Sequence, residues 1–313
     1  MYFPFLRGKQ FEIIALRELT SILSESQKII PIIEPVKEAS SYKKTFKEFH
    51  EHEIEYCIII NPRIPKDNMN PAQTFNYFEK FKEKGKPIYT FIIDNNTNVS
   101  KLISFIDSEI KDKRIAYIFK QLPFEHDNLS NILKGYNVKY NIVNEDFPRR
   151  YTRIIRADYK NSDNNLIILA DRFPKKERNS DYPNEPVFFS DDHLFYEDEN
   201  YIGFSDYLTI GEEYSEMGFA PHAVTFHLTF LQEEEIWVKH FVSETIDNIP
   251  SKVGQKSNES LEKAAKFIKE KNIDTYAAKE IVQIAEEGRF PGLGYLKKLS
   301  IKHHLELVNQ ILK

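Results

Sequence analysis

The sequence predicts a (β/α)8 barrel, and three observations carry that prediction. Short apolar runs recur about every 27 residues, stretches with helical periodicity lie between most of the first seven, and nearly every run ends on a charged or amide residue. The runs are residues 2–6 before Arg7, 29–33 before Glu34, 56–60 before Asn61 and Arg63, and 88–93 before Asp94. They continue with 115–119 before Lys120, 138–143 before Asn144 and Glu145, 166–170 before Asp171 and Arg172, and 201–204 before Asp206. The runs are continuous rather than alternating, as in Ile29-Ile30-Pro31-Ile32-Ile33 and Cys57-Ile58-Ile59-Ile60. Strands covered on both faces read this way, and their β-branched and aromatic content favours strand over buried helix.

The connectors follow in order. In the first, Phe11, Ile14, Ala15, Leu19, Ile22 and Leu23 form one helical face. In the third, Asn70-Pro71 gives an N-cap and a first-turn proline, and Gly85 closes the helix. In the fourth, Val99, Leu102, Ile103, Ile106 and Ile110 make the stripe. The competing fold is an open doubly wound sheet, which usually marks its first turn with a glycine-rich fingerprint. Here that turn is Arg7-Gly8-Lys9-Gln10, so eight units without a fingerprint favour closure.

After Arg172 the beat slips. Residues 173–187 are polar and proline-rich, which predicts a loop with the position of a lid, and 188–193 lead into a short helical piece. Past Gly211, Val224, Phe226, Leu228 and Phe230 alternate with Thr225, His227 and Thr229, and 236–242 pairs with them across an acidic turn as a β-hairpin. Three helices follow, over 261–271, over 275–287 with Asp274 as N-cap and Gly288 as stop, and over 295–312. With no low-complexity linker, residues 1–222 read as a barrel core and 223–313 as a hairpin and helical extension packed on it, one domain in all.

The chain has 313 residues, more than the roughly 250 of a minimal barrel, and 41% of them are apolar, ample for a core. A net charge of −5 gives no general attraction for nucleic acid or an anionic membrane, though it leaves room for a local basic patch. The lone Cys57 excludes an internal disulfide and fits a reducing cytoplasm. No apolar stretch reaches membrane-spanning length, and the N-terminus lacks a signal-peptide pattern.

In a barrel, the strand-end residues converge on one mouth, where such folds carry their sites. That makes Arg7, Glu34, Asn61, Arg63, Asp94, Lys120, Asn144, Glu145, Asp171, Arg172 and Asp206 the candidate set. The plain alternative is a ring of charges that satisfy one another. Glu34, between an apolar strand and Pro35, is the sharpest candidate acid or base, with Asp206 as its partner across the closure. Such a pair serves acid–base chemistry or, with Asp94 or Asp171, holds Mg²⁺, although no ligand spacing marks a metal site and the sequence does not reveal a cofactor. Arg7, Arg63, Lys120 and Arg172, with Asp94 and Asp171 beside them, are the expected ligand-binding groups for a small anion. A phosphate site at the eighth strand is disfavoured by the acidic run Gly211-Glu212-Glu213-Tyr214-Ser215-Glu216. Ser190-Asp191-Asp192-His193 reads as a helix start with Ser190 as N-cap, and His303-His304 as a core or solvated pair. Nucleophile elbows, Walker loops and zinc signatures are absent from the sequence.

The opening residues Tyr2-Phe3-Pro4-Phe5-Leu6-Arg7-Gly8-Lys9-Gln10-Phe11-Glu12, with Ile30-Pro31-Ile32-Ile33-Glu34, resemble the bacterial and phage "beta protein" family. So do Phe189-Ser190-Asp191-Asp192-His193, the stretch from Gly203 to Tyr214, and Phe290-Pro291-Gly292-Leu293-Gly294. The nearest likeness is to an uncharacterised bacterial subgroup. The resemblance runs nearly end to end and implies a place on mobile islands beside a partner gene, as in phage defence or toxin–antitoxin pairs. It emphasises Arg7, Glu12, Glu34, Asp206 and Glu212–Tyr214 without giving them roles.

Three functions compete: the barrel component of such a two-gene system, with a ligand pocket at its mouth; a non-catalytic protein-binding module; and a metabolic barrel enzyme acting on a small anion by acid–base or Mg²⁺ chemistry. The aromatic and apolar residues Trp237, Phe241, Phe290, Pro291, Leu293 and Tyr295 predict a protein partner or a homodimer through the C-terminal part.

Overall fold

The computed structural model describes residues 1–37, 39–64, 70–81, 86–123, 135–158, 165–214 and 221–312. Two compact units interleave along the chain, one of Met1–Lys9, Leu23–Ala170 and Asp192–Asp206, the other of Gln10–Ile22, Asp171–Asp191 and Tyr207–Lys313. The sequence suggested a boundary at 222/223; the last segment of the second unit begins at Tyr207, and the unit also gathers Gln10–Ile22 and Asp171–Asp191.

The first unit is a barrel of eight parallel strands. In chain order they are β1 (Phe5–Leu6), β2 (Ile32–Ile33), β3 (Glu55–Ile59), β4 (Lys86–Ile93), β5 (Arg114–Phe119), β6 (Asn137–Asn144), β7 (Leu166–Ala170) and, after one strand of the other unit, β9 (Gly203–Asp206). Neighbours in sequence are neighbours in the sheet, as in a TIM barrel. The seam closes through a parallel bridge between Tyr2 and Phe204, with the Phe3 N–H donating to the Phe204 carbonyl at 2.8 Å. An open sheet is thereby set aside. Continuous apolar runs were the sign of strands covered on both faces, and every residue of Cys57-Ile58-Ile59-Ile60 is at most 1% exposed.

Helices alternate with these strands: α1 (Gln10–Glu18), α2 (Thr20–Ser26), α3 (Ser40–Glu51), α4 (Pro71–Glu79), α5 (Val99–Phe105), α6 (Arg149–Asp158) and the single turn α7 (Asp192–Phe195). Asn70 and Gln73 form a reciprocal capping box before Pro71, as the sequence indicated, while Gly85 lies outside the described residues. On α5 and its π-helical continuation Ile106–Ile110, Val99, Leu102, Ile106 and Ile110 are buried and Ile103 is half-buried. The first connector differs from its reading. It breaks at Leu19, where the Thr20 hydroxyl donates to the Arg17 carbonyl at 2.6 Å, and its first helix buries Glu12, Ile13, Ala15 and Leu16. The buried acid is neutralised by Lys297 at 3.1 Å, a partner that periodicity cannot reveal. Ser190 ends a strand, so Asp191 rather than Ser190 precedes α7.

The second unit is built on a three-stranded antiparallel sheet in the order β10 (Thr225–Gln232), β11 (Glu235–Val242), β8 (Val187–Ser190). The expected hairpin is present, from Thr225 opposite Val242 to Gln232 opposite Glu235. Its third strand, β8, comes from residues read as the approach to a helix. Around the sheet lie α8 (Val253–Lys271), α9 (Tyr276–Glu286) and α10 (Leu293–Ile311). Thr275, not Asp274, caps α9, accepting the Ala278 N–H. Phe226, Leu228 and Phe230 pack with Leu261, Ile281 and Leu299. The open edge of β10 is closed by α10, whose Ser300 hydroxyl and His303 ring meet the carbonyls of His227 and Thr229 at 2.7 and 2.6 Å. His303 and His304 are therefore core residues.

Gly203 marks the barrel seam. A Cβ there would lie 2.6 Å from the Met1 carbonyl oxygen and 2.8 Å from the Phe3 ring. Gly203→Ala is expected to destabilise the protein by about 1–3 kcal/mol, because backbone cannot yield as a side-chain tip can. Urea denaturation checks this, and a wild-type midpoint would show that the seam is not close-packed.

Candidate functional site

Four of the expected strand-end residues form one network at the C-terminal ends of β1 to β4. Arg7 leaves β1 buried and its guanidinium pairs with Glu34, which is fully buried at the end of β2. The second oxygen of Glu34 accepts the backbone N–H of Arg63 at 2.6 Å. Arg63 grips Asp94 with both arms, Nε to Oδ2 at 2.5 Å and Nη2 to Oδ1 at 3.0 Å. Asn61 extends the β3–β4 ladder with its side chain, donating to the Ile92 carbonyl and accepting the Ile92 N–H, each at 2.8 Å.

Local sequence explains why the groups stand there. Gly8, after Arg7, has φ +63°, and a Cβ would meet the Tyr42 hydroxyl at 2.1 Å, so the chain turns on glycine directly behind the arginine. The Tyr42 hydroxyl donates to the Gly8 carbonyl at 2.8 Å and fixes that turn. Asp94 is held by a residue missed from the sequence: the Thr97 hydroxyl meets Asp94 Oδ1, the Asp94 N–H and the Arg63 guanidinium, each at 2.9 Å. The Asp94-Asn95-Asn96-Thr97 spacing is a side-chain-to-backbone turn motif that would have flagged it.

Lys120 joins from the opposite side of the barrel. Its ammonium lies 5.4 Å from the centroid of the Phe5 ring, and the Arg7 guanidinium lies 5.0 Å from the same ring. Two cations from the ends of strands β1 and β5 thus approach the same aromatic ring. Asp206 ends β9 and accepts the hydroxyl of Tyr2 at 2.7 Å. Burial, and then the Asp206 carboxylate, push the Tyr2 phenol well above its ordinary range, so it stays a donor. Asp171 and Arg172 belong to the second unit. Asp171 ties the backbone there, accepting the N–H groups of Phe173 at 3.2 Å and Glu212 at 2.8 Å, and Arg172 is half-buried.

These contacts bear on chemistry. Both oxygens of Glu34 and both of Asp94 already carry donors, which suits holding a shape better than exchanging a proton. Among the described residues, no three His, Cys, Asp or Glu side chains converge to hold a metal ion. Cys57 is no nucleophile, since burial pushes its thiol up to about 12.

The second unit has its own cleft of about 410 Å³, lined by Phe173, Tyr182, Phe226 and His227 with Lys175 and Lys297. Both lysines are committed, Lys175 to Glu213 at 3.0 Å and Lys297 to Glu12. The loop read as a lid is tied down here, with Tyr182 ring-to-ring against His240 at 4.5 Å and His227 at 4.7 Å. Nδ1 of His227 meets Nδ1 of His240 at 2.8 Å, a bond that needs at least one neutral ring.

Comparison of the chain with known protein families, with curated proteins and with solved structures finds no match, so the functional reading rests on the chain's own residues.

Two predictions follow from these geometries. Glu34→Gln leaves the buried Arg7 charge without its counter-ion and is expected to cost about 3–5 kcal/mol, much of it recovered by pairing it with Arg7→Met. A double-mutant cycle in urea measures this, and additive losses would mean the pair is not coupled. The histidines set an acid limit. Burial pulls His227 down to about 3, and His240 and His303 to about 4. Lowered histidines stabilise the fold fully above the unfolded value of about 6.5 and lose that contribution as pH falls toward 4 and below. The urea midpoint should therefore drop between pH 7 and pH 4.5, and His240→Gln should flatten the drop.

Proposed function

We propose that this chain is the barrel component of a bacterial two-gene system of the phage-defence or toxin–antitoxin kind, and that it works by holding a small anionic ligand in the barrel mouth. The single observation that carries the ligand reading is the pairing of Arg7 and Lys120 over the Phe5 ring. An anion beside that ring gains from both cations inside a low-dielectric wall, and the Glu34–Arg63–Asp94 network keeps Arg7 in place. The two-gene setting rests on the resemblance to the beta protein family alone.

Binding is favoured over acid–base catalysis because Glu34 and Asp94 have donors on both oxygens. A metabolic enzyme built on a Glu34–Asp206 pair would need an acid with a free oxygen facing substrate. In the partner reading, Phe241 is buried, and Trp237 and Tyr295 are packed against the core of the second unit. Phe290 and Leu293, 39% and 40% exposed, are then the members of that set with surface to offer a partner or a second copy. Among the described residues no helix is long and apolar enough to cross a membrane, which accords with the cytoplasmic setting we propose.

Lys120→Met tests the ligand reading. Small anions, inorganic phosphate and nucleoside monophosphates among them, should raise the melting temperature of the wild type and not that of the variant. Equal shifts in both would overturn it. Glu34→Gln and Asp206→Asn, scored for phage protection or partner toxicity and checked for folding, separate the readings further. Full activity in both folded variants excludes a catalytic mouth, and loss of activity in Asp206→Asn without loss of stability restores the enzyme.

A further inference from the structure

The outer face of α6 departs from the rest of the chain. Four of the protein's eleven arginines, Arg149, Arg150, Arg153 and Arg156, lie within eight consecutive residues. At about 3.6 residues per turn, this spacing places all four on one side of the helix. All four are exposed, and Ile155 on the opposite side is buried. Lysine outnumbers arginine nearly three to one in the whole chain, so the choice of the forked side chain is local.

Elsewhere the described cations near carboxylates are paired with them, as at Arg7, Arg63, Lys256 and Lys298. Among the described residues no carboxylate pairs with any of the four arginines of α6. The Arg156 guanidinium instead reaches the Glu199 backbone carbonyl at 3.4 Å and lies 5.6 Å from the Tyr201 ring centroid. That of Arg150 lies 6.0 Å from the Tyr151 ring. A second feature points the same way. The first turn of α6 has no acidic residue and holds Arg149 and Arg150, two cations at the positive end of the helix dipole. A helix shaped for its own stability places acids there. This one adds positive charge to positive charge, and an external anion relieves that conflict.

We infer that this face of α6 binds the phosphodiester backbone of a nucleic acid. The guanidinium fork matches a phosphate bidentately, and Arg149, Arg153 and Arg156 follow one another along about 10 Å of helix, a length that spans successive phosphates. The flanking tyrosines add faces on which an unpaired base stacks. Binding of this kind reads no sequence. A local patch of four arginines suffices for it in a protein whose net charge is −5. The arginine face shares no residue with the Arg7–Lys120 site, so the two proposals fail separately.

The test is fluorescence anisotropy with a labelled single strand and a duplex, each of about 20 nucleotides per strand, titrated over a series of salt concentrations. Wild type is compared with Arg149→Gln/Arg153→Gln and with Lys266→Gln, an exposed lysine of α8, as control. The wild type should bind, with affinity falling steeply with salt. The double variant should lose about tenfold or more, and the slope of log K against log salt should shrink by about 1.4 on the single strand or about 1.8 on the duplex. The control should match the wild type. Relative strengths on the two probes say which form of the backbone is preferred. Because Arg149 opposes the dipole and Arg153 is exposed, the double variant should melt at or above the wild-type temperature, which separates lost binding from lost fold. No binding by the wild type, or an unchanged slope in the double variant, overturns the inference. So does a poly-glutamate that binds as tightly and loses as much in the variant, for then the surface belongs to an acidic protein.

Discussion

The network that joins β1 to β4 at the barrel mouth depends on the buried carboxylate of Glu34. It has no solvent to satisfy it, so its two oxygens must be met by the protein. One takes the guanidinium of Arg7 from β1 and the other the N–H of Arg63 from beyond β3. A single side chain thereby fastens three strand ends. Arg63, fixed through its backbone, is free to use its guanidinium on Asp94, and Asp94 in turn organises the turn through Thr97. The order of dependence runs from the buried acid outward. Removing Arg63 or Asp94 loosens contacts around a half-buried guanidinium, while removing Glu34 leaves a buried cation behind.

The barrel was legible in the sequence because its strands are buried on both faces and repeat, a pattern written in composition alone. The α4 cap, the hairpin and the common face of Phe226, Leu228 and Phe230 were legible for the same reason: each is a local rule acting on nearby residues. What the sequence hid depends on distant partners. Glu12 lies on the buried face of α1 only because Lys297 meets it, and β8 becomes a strand only because β11 offers an edge. Asp274 looks as good a cap as Thr275, and the difference is which side chain reaches the Ala278 N–H.

The candidate site divides along the same line. That Arg7, Glu34, Arg63 and Asp94 belong together could be read from strand-end positions, because a parallel barrel brings successive strand ends into register. Which atoms pair could not, since that depends on rotamers set by Gly8, Tyr42 and Thr97. Lys120 and the Phe5 ring meet across the barrel and leave no trace in spacing. Asp171, placed in the candidate set by position, spends its oxygens on the backbone of Phe173 and Glu212.

The chain handles its charges in two ways. Inside the mouth and along α10, cations are matched to carboxylates, as Lys298 and Lys302 are to Glu18, which burial makes necessary. Burying an unmatched charge costs several kcal/mol or more, so pairing there carries no message about ligands. Exposed charges face no such demand, and their arrangement is correspondingly free to reflect what they meet. By that argument a buried matched pair is evidence first of folding, and a functional reading of it needs an added feature, such as two cations turned to one ring. An exposed run of like charges set against its own helix dipole is evidence first of a partner. On that argument Arg7 with Lys120 beside the Phe5 ring, and the arginines of α6, carry the two proposals of an anionic ligand.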